Sequence, residues 1–351
     1  DRPNLSKDYL AGQAPEAWLP LAPEAFYSER SITLRLGARV DRLDGDTRTL
    51  HLADGSTHAF DALLLATGAD PIRPAIPGAD LPHVHLLRSL SDCRRIMAAC
   101  GPGRRAVVVG ASFIGMETAA ALQVRGVEVH VVAPDAVPFE RSLGAALGER
   151  LQRAHEAKGT TFHLGQRPAS IDVQAVTLTD GTKLPADLVV VGIGVRPNTT
   201  LAQSLGVAID RGIVVDPYLE TTVPGVFAAG DNAAWLDLRT QTHHHAEHWV
   251  VAQRQGQTAA LNILGERRPF DAVPFFWTVQ HDVAVQYVGY SLPWDRFELR
   301  GEPADNDCAV AYYRGATLVA VATIGRPRVN LACEGALQRG DLSALHALLS
   351  T

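Results

Sequence analysis

Val107-Val108-Val109-Gly110-Ala111-Ser112-Phe113-Ile114-Gly115-Met116-Glu117 decides the fold of this chain. An apolar run stops at a glycine, and a helical pattern carrying Ile114, Thr118, Ala121 and Leu122 on one face follows at once. Strand, tight Gly-rich turn and helix in that order make the phosphate-binding unit of a doubly wound α/β domain. Gly110 permits the turn, and Gly115 lets the helix approach the strand. The helix N-terminus, with about half a positive charge and free N–H groups, then faces a pyrophosphate. Ser112 stands where a second glycine is usual and is small enough to admit the backbone. The next strand ends at Val131-Val132-Ala133-Pro134-Asp135, where Asp135 is the acid expected to reach the adenosine ribose. A carboxylate there repels a 2′-phosphate, and none of the five residues after it is an arginine, so NADH is expected over NADPH. The plainer alternatives are a turn without a ligand and, for Asp135, a surface acid just past the strand.

Around this unit one motif set occurs twice. Leu36-Gly37, Arg39 and Asp44 recur 128 positions later as Leu164-Gly165, Arg167 and Asp172. Asp54-Gly55, Asp61, Leu64, Gly68 and Pro71 recur 126 positions later as Asp180-Gly181, Asp187, Val190, Gly194 and Pro197. Equal spacing over so many positions marks one supersecondary unit used twice. The second copy follows the complete Gly-rich unit. The first copy implies a similar unit ahead of Asp1, roughly 20–40 residues long by ordinary loop-length variation. Without it, this stretch of chain is expected to hold the corresponding nucleotide weakly.

Composition narrows the class. A chain of 351 residues suggests two or three domains, and 46% hydrophobic with 20% charged residues is ordinary globular usage. The net charge of −6 argues against nucleic-acid binding. No apolar run approaches the roughly 18 residues of a membrane helix. Cys93, Cys100, Cys308 and Cys333 form no CxxC pair or zinc spacing, which reads as reduced thiols in a cytoplasmic protein.

The first segment reads as a β-meander with strands at 31–36, 48–52 and 62–65. A helix near 91–99 precedes the Gly-rich unit, further strands lie at 213–215 and 226–231, and a helix covers 247–263. After the Pro269 to Pro274 linker the chain turns aromatic and strand-rich. Ala229-Gly230-Asp231 delivers a carboxylate at the end of an apolar strand, where open α/β sheets bind ligands; the alternative is a helix N-cap. His243-His244-His245 with His248 has a metal-like look if the helix starts early, but no Cys or Asp completes a set. A solvated loop or a polar lining is the favoured reading, and no metal is expected. Arg326 and Arg328 lie on a predicted loop, where they would serve as surface charge or dock an acidic partner.

Taken together, Arg2-Pro3 with Leu5-Ser6-Lys7, Ala66-Thr67-Gly68, the Gly110 unit, Gly192 to Asn198 and Ala229-Gly230-Asp231 resemble the two-dinucleotide flavoprotein reductases. Glu247-His248-Trp249 and Pro274-Phe275-Phe276-Trp277 narrow the resemblance to the ferredoxin/rubredoxin/putidaredoxin reductase branch, which includes apoptosis-inducing-factor-like proteins. The resemblance implies two doubly wound α/β domains, for FAD and for NAD(P)H, one inserted in the other, plus a C-terminal α+β interface domain. The corresponding boundaries are 1–88 with 213–266 for FAD, 89–212 for NAD(P)H and 267–351 for the interface domain. In that family NADH passes a hydride to flavin N5, and electrons leave singly to a ferredoxin, rubredoxin or Rieske-type iron–sulfur protein.

By the same resemblance, Lys7 and Glu117 pair at the flavin N5 edge as the catalytic residues. Arg2, Ala66, Thr67, Gly68 and Arg88 contact FAD, Val40 offers backbone groups to its adenine, and Asp231 binds the ribityl chain. Trp249 and Trp277 pack near the isoalloxazine. On the nucleotide side Ile114 joins Gly110, Ser112, Gly115, Glu117 and Asp135, and Gly194 lets the nicotinamide approach. No Cys precedes Cys93, which argues against disulfide reduction. The resemblance is compatible with a monomer or homodimer. Two rival functions are an NAD(H)-responsive binding protein with little turnover, and a flavoprotein oxidase or monodehydroascorbate-type reductase.

Overall fold

The computed structural model describes residues 1–290 and 293–349; Ser291, Leu292, Ser350 and Thr351, within the expected interface domain, lie outside the described residues. At its centre is a five-stranded, all-parallel sheet in the order Val84–Leu86, Leu188–Val191, Arg105–Val109, Glu128–Ala133, Thr161–Leu164. Its valines at 107, 108, 131, 132 and 189 are wholly buried, as strands covered on both faces must be. Helix Phe113–Val124 connects Arg105–Val109 to Glu128–Ala133, and Gly144–Glu156 connects Glu128–Ala133 to Thr161–Leu164.

The repeat is visible at atomic detail. Val40–Asp44, Thr49–Leu52 and Thr57–Ala59 form one meander, and Pro168–Ile171, Ala175–Leu178 and Lys183–Pro185 form the other. Both hairpins turn on a left-handed glycine, Gly55 at φ 84° and Gly181 at φ 89°. In both, the aspartate before that glycine accepts from the N–H two residues on, Ser56 and Thr182, at 2.9 Å. After the meanders, Leu63–Leu65 pairs in parallel with Val226–Ala228 as Leu188–Val191 pairs with Val84–Leu86. Ala69–Pro71 and Val195–Pro197, equivalent in the two copies, pair with each other antiparallel, so a local twofold relates the halves.

The strand expected at 31–36 does not form. Its counterpart Thr161–Leu164 hydrogen-bonds to Glu128–Ala133, whereas among the described residues no strand runs beside 31–36. Without a partner for its N–H and C=O groups an extended segment gains nothing from strand geometry, and Leu36 is left 87% exposed.

The C-terminal sheet is antiparallel, in the order Phe275–Gln280, Val283–Gly289, Thr317–Ile324, Asp307–Arg314, Arg296–Glu302. Helices Pro327–Arg339 and Leu342–Leu349 cover one face through Cys333, Ala336 and Leu345. The other face shares a core with the parallel-sheet domain, where Tyr287, Val310 and Tyr312 join Met116, Leu147 and Leu151. Strand Phe275–Gln280 is thereby brought against helix Phe113–Val124. Among the described residues no helix is long and apolar enough to cross a membrane.

Candidate active site

The Gly-rich turn is closed by glycines in contact. A Cβ on Gly115 would lie 2.0 Å from the carbonyl oxygen of Gly110, and one on Gly110 2.3 Å from that of Gly192. Ser112 caps helix Phe113–Val124 by its backbone conformation, and its hydroxyl makes no capping bond. The first N–H groups of the helix therefore face outward at the C-terminal edge of the sheet. Ile114 is exposed beside them, and Gly194, at φ 109°, lies in the short loop after the neighbouring strand Leu188–Val191.

One turn further on, the same helix carries Glu117, 4% exposed. Oε2 accepts from Lys7 Nζ at 2.6 Å and from Ser6 Oγ at 2.6 Å, and Oε1 accepts from Thr278 Oγ1 at 2.7 Å. The carboxylate sets the direction of everything behind it. Thr278 spends its hydrogen on Glu117 and so accepts from Gln280 Nε2 at 3.2 Å, while Gln280 Oε1 lies 3.0 Å from His155 Nε2. That nitrogen must donate, leaving a bare Nδ1 that is buried and has no partner. Burial pushes His155 down to about 4, the bond to Gln280 only partly opposing it, and its ring stays neutral. Ser6 stands in the quoted Leu5-Ser6-Lys7 stretch without a role of its own, and Thr278, Gln280 and His155 were not singled out from the sequence; only the adjacency of Thr278 to Trp277 hinted at one of them.

A second cluster lies beyond the short helical turn Pro3–Ser6, which joins Arg2 to Lys7. Arg88 Nη2 donates to Asp231 Oδ2 at 2.8 Å, and a Cβ on Gly68 would lie 3.0 Å from Arg88 Nη2 and 3.8 Å from Arg2 Nη1. Burial and the neighbouring Arg88 lower the Arg2 pKa, and Asp231 and Asp70 partly compensate. Two guanidiniums sharing one corner with a single close carboxylate suit an anionic ligand. Asn232 ties Thr67 and the end of strand Leu63–Leu65 together, donating to Leu65 O at 3.0 Å and Thr67 Oγ1 at 2.9 Å, while its buried Oδ1 has no partner. Trp249 and Trp277 each expose about 40% of their surface, an unusual amount for indoles at the heart of a fold. Open aromatic faces, a backbone turn at Gly230-Asp231 and paired charges fit a flat, polar-tailed cofactor such as FAD. Val40 opens the edge strand Val40–Asp44.

Several expectations change. The five residues after Asp135 hold no arginine, but the sixth, Arg141, places Nε 3.2 Å from Oδ1. The histidine run is no solvated loop. Thr242–His244 is a strand paired with Ala233–Asp237, and His244 is buried with Nε2 2.6 Å from Thr240 Oγ1. Helix Trp249–Ile263 starts after His248, which removes the i, i+4 premise for a metal site, and no cluster of metal-ligating side chains occurs among the described residues. Arg326 is held by Asp307 at 2.6 Å, and Arg328 lies in the first turn of helix Pro327–Arg339, not on a loop. All four cysteines are free thiols.

Comparison with known proteins agrees with this geometry. Residues 1–256 match the family model described as pyridine nucleotide-disulphide oxidoreductase, and 275–349 the model described as reductase C-terminal. A probable ferredoxin reductase, CtmF, of Castellaniella defragrans is 35% identical over 93% of this chain and 81% of its own length. The ferredoxin–NAD(+) reductase component of an anthranilate 1,2-dioxygenase system of Burkholderia cepacia is 35% identical over 87% of this chain and 76% of its own. The reductase in the covalent putidaredoxin reductase–putidaredoxin complex superposes with TM-score 0.92 at 30% identity, covering 99% of this chain and 88% of that one. The chain belongs to the pyridine nucleotide-disulphide oxidoreductase family, as an FAD-dependent reductase of its ferredoxin–NAD(+) reductase branch.

Proposed function

We propose that this chain takes electrons from NADH and delivers them one at a time to a small iron–sulfur protein of the ferredoxin, rubredoxin or Rieske type, in the cytoplasm. The observation that carries the reading is the ion pair of Lys7 with the buried Glu117 carboxylate, which Thr278 also holds, one helical turn from the Gly-rich NAD turn. Bound FAD supplies the chemistry, accepting a hydride and releasing single electrons. The chain supplies alignment. Arg2, Arg88, Gly68 and Asp231 hold the flavin's polar tail, with Ala66 and Thr67 at the strand end beneath it and the Val40 backbone toward its adenine. Trp249 and Trp277 flank its ring. Gly110, Ser112, Gly115 and Ile114 receive the pyrophosphate of NADH, Asp135 its ribose, and Gly194 leaves room for the nicotinamide. Lys7 and Glu117 fix ring against ring, excluding water from the transfer path. Residues 1–88 and 213–266 form the FAD domain, lending strand Val84–Leu86 to the sheet of the inserted 89–212 domain, and 267–351 form the interface domain.

The test is turnover of the FAD-loaded chain with NADH and a [2Fe–2S] ferredoxin, followed at the ferredoxin visible band under argon. Ferredoxin reduction at a rate well above that of oxygen or monodehydroascorbate is expected. Fast turnover with oxygen and none with iron–sulfur acceptors would overturn the reading, as would flavin bleaching by NADH with no acceptor reduced.

A further inference from the structure

Strand Glu128–Ala133 ends beside the Gly-rich turn, and the chain then doubles back along it. Phe139 N donates to Ala111 O at 2.9 Å, Ala136 N to Glu140 Oε2 at 2.9 Å, and Arg141 Nε to Asp135 Oδ1 at 3.2 Å. This loop forms one side of an open cleft of about 480 Å³, a volume within the range of small-molecule sites. The other side does not come from the nucleotide domain. It is Pro293 and Trp294, from the connection between two strands of the C-terminal sheet.

Trp294 is built in. Its ring lies 5.4 Å from that of Tyr312 and 5.9 Å, edge-on, from that of Phe297, and Tyr312 in turn donates to Leu143 O at 2.8 Å. The helix start opposite it is Gly144, where a Cβ would lie 3.2 Å from the indole. An indole fixed on several sides and facing a cleft loses little freedom when a flat ring lies on it.

We propose that Trp294 is a wall of the adenosine subsite for NADH, stacking on the adenine and so giving the C-terminal domain a direct share in nucleotide binding. The proposal rests on the reading of this chain as an NADH-dependent reductase. With the pyrophosphate at Gly110 and the ribose at Asp135, the adenine has this cleft to enter. Arg141, held at Nε by Asp135 and otherwise exposed, borders the same cleft.

The test is calorimetric titration of the FAD-loaded enzyme with ADP-ribose, which carries the adenosine half of NADH and no nicotinamide. Trp294→Ala and Trp294→Leu are each expected to weaken ADP-ribose about 10-fold, the size of one lost base–aromatic stack, and Trp294→Phe to restore most of it. KM for NADH should rise in step while kcat at saturation stays within about twofold, since the hydride site is remote from this residue. Trp294→Leu keeps apolar packing against Tyr312, so it serves if the alanine variant does not fold. Unchanged ADP-ribose affinity in a folded leucine variant would overturn the proposal, leaving the indole a domain contact only, and so would failure of the wild type to bind ADP-ribose. If the wild type binds ADP-ribose, the variants lose it and no iron–sulfur acceptor is reduced, the proposal stands and the reductase reading falls.

Discussion

Glu117 accepts from Ser6 and Lys7 near the start of the chain and from Thr278 in the C-terminal sheet. A buried carboxylate with three short, partly charge-assisted bonds has one rotamer and one orientation. Lys7→Ala takes the counter-charge from the buried Glu117 carboxylate, a cost of up to about 3 kcal/mol, whereas Glu117→Ala leaves Lys7, which is 21% exposed and still reaches water. Displacement by about 1 Å at a transfer site costs about 10²-fold in rate, so NADH-dependent flavin reduction should slow by that order while electron delivery from pre-reduced flavin changes less. Stopped-flow absorbance at the flavin band separates the two half-reactions, and equal slowing of both would assign the pair a structural role. Thr278→Val strips one bond from Glu117 and leaves Gln280 Nε2 without an acceptor, a cost of about 1–3 kcal/mol. It should lower kcat with KM for NADH nearly unchanged, whereas Thr278→Ser should restore kcat. Lys7 and Glu117 were legible in the sequence only through family resemblance. Thr278, Gln280 and His155 were not, because a lone hydroxyl, amide or imidazole in a strand or helix carries no periodic signal, and its partners are far away in the chain.

The Gly-rich unit was legible element by element, since strand, turn and helix differ in period and are punctuated by glycine. Strand Arg105–Val109 and helix Phe113–Val124 fall where the pattern of valines and alanines puts them. The strand expected at 31–36 failed for the complementary reason: alternation and β-branching make a segment compatible with a sheet but do not supply the neighbour. Thr242–His244 went unread because its two histidines carry no apolar alternation, yet pairing with Ala233–Asp237 makes the segment a strand. At this scale the sharpest test is Gly115→Ala. The added methyl would sit 2.0 Å from Gly110 O, so helix and turn must separate. The substitution should cost about 1–3 kcal/mol of stability through overpacking. It should also weaken NADH binding, measured as KM and as the Kd for ADP-ribose, with FAD content unchanged. Wild-type affinity in this variant would remove the turn from the nucleotide site.

For the whole molecule, the duplicated motif set is the unit that the two meanders repeat, and the change in composition after Pro274 falls where the C-terminal antiparallel sheet begins. How closely that sheet packs on the others was not foretold. His155, at the seam, titrates near 4 and His248 likewise, both lowered chiefly by burial. The unfolded chain takes up these protons near pH 6.5 and the folded one only near 4. Their contribution to stability is therefore complete above about pH 6.5 and drains away as the pH falls toward 4. Between pH 6.5 and 5 each group accounts for about 2 kcal/mol. Thermal unfolding should shift down across that window, less steeply in His155→Gln, whose amide can still donate to Gln280; an identical slope in the variant would remove His155 as a source. The hydrogen-bond line from Lys7 to His155 has a further consequence, in the terms of circuitry. The hydrogen bonds of the Glu117 carboxylate are complete only when Ser6 and Lys7, the Gly-rich helix and the C-terminal strand are all docked, which is the logic of an AND gate. A nicked or partly opened molecule lacks an input, and the buried carboxylate is left short of a donor.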